Sequence, residues 1–305
     1  MKTVIINSND AGQRADKFMH KFFKSKMPSS MIYKSFRKKR IKVNGKAVKQ
    51  DFMLSEGDKV DLYINDEFFD GRPAPAEKIK YDLDIVYEDE NIILINKKPG
   101  VVVHDDDNGS VNTLIAQLKS YLTDKGEYNP AAENSFAPAL CNRIDRNTSG
   151  IVIGAKNAAA LREMNDIIKH RNVTKIYRAM VSGVLPQKSG TLKGYLFKDS
   201  KTNKVYVTDS RQKGSSEIIT KYKVIKQTDT CALAEIDLVT GKTHQIRAHF
   251  AHIGHPLVGD GKYGKADKQH RFQLLHSYKL IFGDIKSPAL AYLSGKTFTA
   301  PYDFS

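Results

Sequence analysis

The stretch from Cys141 to Gly150, Cys-Asn-Arg-Ile-Asp-Arg-Asn-Thr-Ser-Gly, constrains this chain more than any other. It places one carboxylate, Asp145, between Arg143 and Arg146 and follows it with Thr148, Ser149 and Gly150. Apolar runs flank it, Phe136 to Leu140 before and Ile151 to Ala155 after. The pattern predicts a short charged loop between two buried elements, closed by a turn at Ser149-Gly150. Charges held at the mouth of a core are costly unless they pair. Residue types alone leave two readings open. One is a structural Arg–Asp ion pair, with Thr148 capping the turn. The other is an acidic catalyst kept ionised by neighbouring cations.

Charge narrows the partners. The formal net charge is +15, which points to a polyanion attracted electrostatically and bound with counterion release. Nucleic acid leads, and an anionic membrane surface is a distant second. The excess is uneven: residues 1–65 hold 15 Lys and Arg against 6 Asp and Glu. A basic small domain and a nearly balanced large one are expected. At 305 residues, 40% of them hydrophobic, the chain is long enough for one small and one large core. No apolar run reaches the length of a membrane span, and the N-terminal residues lack the apolar core of a signal peptide. Two cysteines, Cys141 and Cys231, make no disulfide framework. A reducing cytoplasm is therefore expected. Cys141 lies near Asp145, but no base is assigned to it and a plain buried thiol is the expectation.

The first 65 residues read as a compact module. Phe18, Met19, Phe22 and Phe23 fall on one side of a helix that opens at Arg14, with Lys17, Lys21 and Lys24 on the other. Pro28 to Ser30 breaks it, and Ser30 is the predicted N-cap of a second helix from Met31. That helix runs out in Arg37-Lys38-Lys39-Arg40. Asn44-Gly45 signals a tight hairpin, and Gly57-Asp58 a turn into a strand. Residues 66–80, with Gly71, Pro73 and Pro75, read as a linker. Two helices, a Val-Asn-Gly hairpin and a Gly-Asp turn resemble the S4 RNA-binding domain. The resemblance implies RNA contact through Arg14, Lys17, Lys34, Arg37, Lys38, Lys39 and Arg40, by phosphate and shape. A solvated charged helix face is the alternative meaning of such a run, but four consecutive cations repel one another.

From residue 81 the pattern changes. Ile85 to Lys97 reads as two strands, followed by Lys98-Pro99-Gly100, a valine run and the loop histidine His104. Val111 to Leu122 and Asn157 to His170 read as amphipathic helices, and Lys175 to Gly183 as a strand. Residues 184–216 read as hairpins and loops, and Lys221–Lys226 with Cys231–Val239 as paired strands. Gly241 is expected to end that strand, and Thr243 to cap a helix carrying Arg247.

Four blocks and one tyrosine here resemble one family. Arg143-Ile144-Asp145-x-x-Thr148-Ser149-Gly150 is similar to the active-site signature of the RluA-type pseudouridine synthases, with Asn142 and Ile144 where the family usually has His and Leu. Tyr177 matches a tyrosine stacked against the target base. Gly241-Lys242-Thr243-His244-Gln245-Ile246-Arg247-x-His249 matches a block whose arginine pairs with the catalytic aspartate. The Lys-Pro-x-Gly-like first block and Asp260-Gly261-x-Tyr263-Gly264 also match. The resemblance implies an α+β chain: a small helix–hairpin S4-like domain (1–65) joined through the linker to a larger, mainly antiparallel sheet domain (81–305).

It implies isomerisation of uridine to pseudouridine, without cofactor or metal. Asp145, Tyr177 and Arg247 would be catalytic, and Arg143, Ile144, Thr148, His244 and Gln245 would bind substrate. Tyr177 would also serve in removing the C5 proton, and Arg143 would brace the stack that the base leaves. The expected partner is RNA, first large-subunit (23S-type) ribosomal RNA, second tRNA, with no membrane and a monomeric enzyme. A non-catalytic RNA-binding or ribosome-assembly protein would need only the basic surface. A glycoside hydrolase needs paired carboxylates, and the run Asp105 to Asp107 looks like an exposed loop. His244, His249, His252, His255 and His276 lack zinc-ligand spacing. Gly259 to Gly264 fits G-x-G-x-x-G but lacks the strand and helix of a dinucleotide site.

Overall fold

The computed structural model describes residues 1–24, 26–69, 79–104, 111–199, 204–302 and 304. The run at 105–107 and most of the linker, 70–78, lie outside the described residues. The first unit contains β1 (Lys2–Ile5), α1 (Ala15–Phe23), α2 (Ser29–Arg37), β2 (Ile41–Val43), β3 (Lys46–Ala47) and β4 (Lys59–Leu62). Its sheet runs β1-β4-β2-β3, and its own apolar cluster takes Phe18, Met19 and Phe23 from α1 with Ile32 and Phe36 from α2. The hairpin between β2 and β3 turns on Asn44 and Gly45, both at positive φ (50° and 78°), as the tight primed turn requires.

One element was missed and two expectations shift here. The strand β1 was not legible, since four residues with one buried side chain carry little alternation. Helix α2 begins at Ser29, not Met31, because the amides of Met31 and Ile32 both close on the Pro28 carbonyl, which puts Ser29 and Ser30 inside the first turn. Its basic extension is not helical throughout: α2 ends at Arg37, and Lys39 adopts φ 57°.

The second unit is an eleven-stranded sheet with helices on both faces. In chain order it contains β5 (Ile85–Glu88), β6 (Ile92–Lys97), α3 (Leu114–Asp124), β7 (Ala139–Leu140), β8 (Ser149–Ala155), α4 (Ala158–Lys169) and β9 (Val173–Ser182). Then follow β10 (Ser189–Asp199), β11 (Lys204–Thr208), β12 (Ser216–Gln227), β13 (Cys231–Asp237), α5 (Gln245–His252), β14 (Leu275–Phe282) and β15 (Thr297–Thr299). The order is β11-β10-β12-β13-β9-β14-β8-β6-β5, with β7 on β8 and β15 on β14. Among the described strands only β8 and β14 pair in parallel.

Strand alternation splits the core in two. On β6, Ile93 and Ile95 join a cluster with α3, Tyr177 of β9 and Ile246 and Phe250 of α5. Ile92 and Leu94 join the opposite cluster with Ala160, Met164 and Ile167 of α4. So α5 and the loop before β8 meet on one face. The two units touch through polar contacts. Asn9 accepts from the Ala158 amide (2.9 Å), and the buried Asp10 carboxylate accepts from Asn134 (2.7 Å) and Ser135 (2.6 Å).

Ser149-Gly150 is not the predicted turn. The chain turns earlier, where the Thr148 amide donates to the Asp145 carbonyl (3.0 Å), and Ser149-Gly150 opens β8. Gly150 has φ +106°, and a Cβ there would lie 2.3 Å from the Ser277 carbonyl oxygen. Only glycine lets β8 and β14 approach in this register. Likewise, β13 stops at Asp237, four residues before Gly241. Among the described residues no helix is long and apolar enough to cross a membrane.

Candidate active site

The loop carrying Asp145 is tied down from both ends. Cys141 donates its amide to Ile153, and Asn142 Oδ1 accepts from the Ile153 amide, both at 2.7 Å. Asn142 thus spends its carbonyl on the edge of β8. Further along, the Arg146 carbonyl accepts from the Gly100 amide (2.9 Å) and from Lys97 Nζ (2.8 Å). Lys97 is 1% exposed and also donates to the carbonyls of Lys98 (2.9 Å) and Val101 (3.0 Å). Burial pushes its ammonium down to about 7, with Asp145 pulling the other way. Three carbonyl acceptors match the three N–H groups of the charged form. Lys97 therefore joins the end of β6 to the Asp145 loop.

Helix α5 supplies the partner. Arg247 donates from Nη1 to Asp145 Oδ2 (2.8 Å), from Nε to Asp260 Oδ2 (2.7 Å) and from Nη2 to Asp260 Oδ1 (2.8 Å). Its guanidinium also lies over the Tyr263 ring, 5.1 Å from the centroid. Burial opposes its charge, but the hydrogen bonds and charge of Asp260, then Asp145, outweigh this and hold it above the usual arginine range. Asp260 is fully buried. Burial pushes its carboxyl up, but Arg247 and the amides of Lys262 and Tyr263 more than offset this and hold it below the usual range. A planar fork gripping one carboxylate on two atoms leaves its third side for another. Asp145 takes that side with one oxygen. Among the described residues Oδ1 has no hydrogen-bond partner, and the side chain is 22% exposed.

His244 and Tyr177 complete the surroundings. His244 sits at φ 54° just before α5, with Nδ1 2.8 Å from Tyr263 Oη and Nε2 3.8 Å from Asp145 Oδ2. Burial lowers its pKa, although Asp145 partly offsets this. The helix does not use Thr243 as a cap. Instead the Gln245 side chain accepts from Thr240 (2.9 Å) and the Lys242 amide (3.1 Å), and donates to Ile219 (3.1 Å) and Thr220 (3.0 Å). Tyr177 is 5% exposed, and burial pushes the phenol up to about 12, with Ser277 opposing and Asp145 adding a smaller push.

Asp145, Arg247, His244 and Tyr177 are thus brought together. Others named in the sequence are not offered to a ligand. Gln245 has spent both ends of its amide beneath α5. Thr148 is 2% exposed and accepts from Gln273 (3.2 Å), and Ile144 packs in the core. Arg143 is exposed at the loop. Lys17, Lys34, Arg37, Lys38, Lys39 and Arg40 are exposed on the first unit, whereas Arg14 is gripped on two atoms by Asp16 (2.7 and 3.1 Å). Asp260, Tyr263 and Lys97 were not assigned a role from sequence. Burial pushes the Cys141 thiol up to about 12, as for an inert buried thiol. Among the described residues no three His, Cys, Asp or Glu side chains group as a metal site.

The anchored carboxylate, the buried arginine and the tyrosine all fall within a stretch that matches a known family. The sequence profile described as RNA pseudouridylate synthase matches residues 91–252. The chain belongs to that family, isomerases that convert uridine in RNA to pseudouridine. It is 33% identical over 304 residues to an uncharacterized RNA pseudouridine synthase of Mycoplasma capricolum, covering 97% of this chain and 96% of that one. It is 33% identical over 270 residues to the ribosomal large subunit pseudouridine synthase C of Vibrio vulnificus, covering 87% and 80%. The fold is similar to that of human RNA pseudouridylate synthase domain containing 1, with TM-score 0.57 and 24% identity over 77% of this chain and 88% of that one.

Proposed function

We propose that Asp145 is the catalytic carboxylate of this RNA pseudouridine synthase and that Arg247, shared with Asp260, sets its position and counter-charge. The observation that carries this is the half-bound carboxylate: Oδ2 held by Arg247 at 2.8 Å and Oδ1 open. The reaction breaks the bond from C1′ to N1, turns the uracil in place and joins C5 to C1′. It is an internal rearrangement that needs a carboxylate at the junction, acting as nucleophile or as charge stabiliser. Oδ1 is placed for either. Tyr177 supplies a ring against which uracil packs. Tyr177 also serves in removing the C5 proton after the base has rejoined C1′. Burial disfavours the charged form of His244, and its imidazole offers a hydrogen bond to the base. Gln245, Thr148 and Ile144 brace the site from below, and Arg143, exposed at its mouth, fills the stack that the flipped base leaves.

The first unit, residues 1–65, is proposed as an S4-like RNA-binding domain joined by residues 66–80 to the catalytic domain, 81–305. Its exposed cations at Lys17, Lys34 and 37–40 meet RNA phosphates, while Arg14 holds the start of α1 through Asp16. The proposed substrate is large-subunit ribosomal RNA, in line with the name of the Vibrio relative, acted on by a monomer in the cytoplasm and away from membranes. Pseudouridine mapping of total RNA from a deletion strain tests this. Sites that vanish, return with wild type and stay absent with Asp145→Asn support it and name the RNA. Sites restored by Asp145→Asn, or no change on deletion, refute it.

A further inference from the structure

Tyr263 touches both side chains that face Asp145. Its ring lies against the Arg247 guanidinium (5.1 Å) and edge-on to His244, with ring centroids 5.5 Å apart. Its hydroxyl meets two groups. The Val205 amide of β11 donates to Oη (3.1 Å), and His244 Nδ1 lies 2.8 Å from it. A peptide N–H can only donate, so it occupies one lone pair of Oη. Among the described residues the hydroxyl hydrogen then has one acceptor in reach, the lone pair of Nδ1. Burial raises the pKa of the phenol, so that hydrogen is present. A neutral His244 therefore carries its own hydrogen on Nε2.

The far side of the ring gives the same assignment independently. Nε2 lies 3.8 Å from Asp145 Oδ2. An N–H facing a carboxylate is favourable there, whereas a ring lone pair would be repelled. At that distance the two do not form a hydrogen bond, so the N–H of Nε2 is unspent among the described residues. The side chains of His244 and Asp145 are 15% and 22% exposed, so both border one opening. The backbone of His244 sits at φ 54°, a region that residues other than glycine seldom occupy. The turn before α5 holds it there, with the Gln245 amide closed on the Lys242 carbonyl (3.0 Å).

The chemistry of uracil matches a fixed donor. Between loss of the bond at N1 and formation of the bond at C5, the ring makes half a turn about its C6–N3 axis. That turn exchanges O2 with O4 just as it exchanges N1 with C5. A stationary N–H therefore meets a carbonyl oxygen before and after it. Cytosine carries an amino donor at C4 and would set two donors face to face in one of the two orientations.

Resting on the reading of Asp145 as the catalytic carboxylate, we propose that Tyr263 is a positioning residue that fixes His244 in its Nε2–H tautomer, and that this N–H holds a carbonyl oxygen of the target uracil. Tyr263 acts through His244 and does not touch the base.

The tautomer is read without RNA, by NMR of full-length protein labelled in its histidine ring nitrogens at mildly alkaline pH. His244 is expected to show Nε2 protonated and Nδ1 bare, its signals assigned by their loss in His244→Gln. Tyr263→Phe keeps the ring beside Arg247 and removes the hydroxyl, so the signals move toward protonated Nδ1. Single-turnover conversion of total RNA from the deletion strain by Tyr263→Phe is expected to slow about 10-fold, the scale of losing a partner that orients a histidine. His244→Gln sets an amide N–H where Nε2–H stood, and His244→Asn reaches only the position of Nδ1. The first is expected within about five-fold of wild type and the second about 100-fold slower, as for one lost donor. A wild-type spectrum with Nδ1 protonated, equal rates for the Gln and Asn variants, or a Tyr263→Phe protein with wild-type tautomer and rate each overturns the proposal. The first two outcomes are read whether or not Tyr263→Phe folds. Conversion by Asp145→Asn at the wild-type rate would sink the reading of Asp145 and leave the spectrum unchanged, so the two failures are told apart.

Discussion

Arg247 carries one charge and serves two carboxylates. Asp260 grips it on two atoms in full burial, and Asp145 receives an N–H of the remaining nitrogen, Nη1. Replacing Asp260 by Asn leaves a buried guanidinium with half its compensation. Urea unfolding should show a loss of about 3 kcal/mol, and pseudouridine formation should fall with it. An Asp260→Asn protein as stable as wild type would show that the buried pair contributes little. Arg247→Lys keeps the charge but not the fork, since one ammonium cannot span both carboxylates. Single-turnover conversion is expected to slow about 100-fold, the scale of losing one positioned donor, with RNA affinity unchanged. At this scale Asp145 and Arg247 were legible in the sequence because their blocks resemble those of the family. Asp260 was given no role, because its hexapeptide was weighed only as a dinucleotide-site decoy and as a matching block, and its partner lies 13 residues back on a helix. Lys97 looked like the polar end of a strand, and one of the three carbonyls that hold it, that of Arg146, lies 49 residues away in the chain.

The elements show where local pattern is sufficient and where it is not. Helix α4 follows its 3.6-residue period, and Asn157 caps it by accepting from the Ala160 amide (2.8 Å). The Asn44-Gly45 hairpin has the predicted type. The start of β8 was misplaced because Ser-Gly is a turn signal, whereas here glycine serves a contact with β14 that is 127 residues away in the chain. The same contact makes a sharp test. Gly150→Ala adds a Cβ into the Ser277 backbone and forces a left-handed φ on alanine. A stability loss of about 3 kcal/mol or more is expected, measured by thermal or urea unfolding. A Gly150→Ala protein with wild-type stability would mean that β8 and β14 do not meet as described.

Across the molecule, two units, each with its own sheet, are joined by polar contacts at Asn9 and Asp10, and long-range pairing sets the strand order. Charge counts and motif order pointed to a basic first unit and a sheet-based second one. The central place of β14 between β8 and β9 had no local signature, since it follows from pairings across 96 to 127 residues. Stability against pH also belongs to this scale. Burial lowers His249 and His276 from 6.5 to about 4 each. Each therefore binds fewer protons folded than unfolded between those values. Stability is full above pH 6.5 and is lost as pH falls toward 4, by roughly 3 kcal/mol per histidine. Urea titrations from pH 7 to pH 4 should show this fall, and His249→Gln/His276→Gln should flatten it. An equal fall in both proteins would place the acid sensitivity elsewhere.

The most direct measurement is single-turnover pseudouridine formation on large-subunit ribosomal RNA by purified wild type and Asp145→Asn, with RNA affinity measured in parallel. The substitution keeps the shape of the side chain and removes its charge. The expected result is affinity within about two-fold of wild type and conversion reduced at least about 1,000-fold, corresponding to roughly 4 kcal/mol at the transition state. Conversion by Asp145→Asn at a rate near wild type would contradict the assignment of Asp145 as the catalytic carboxylate.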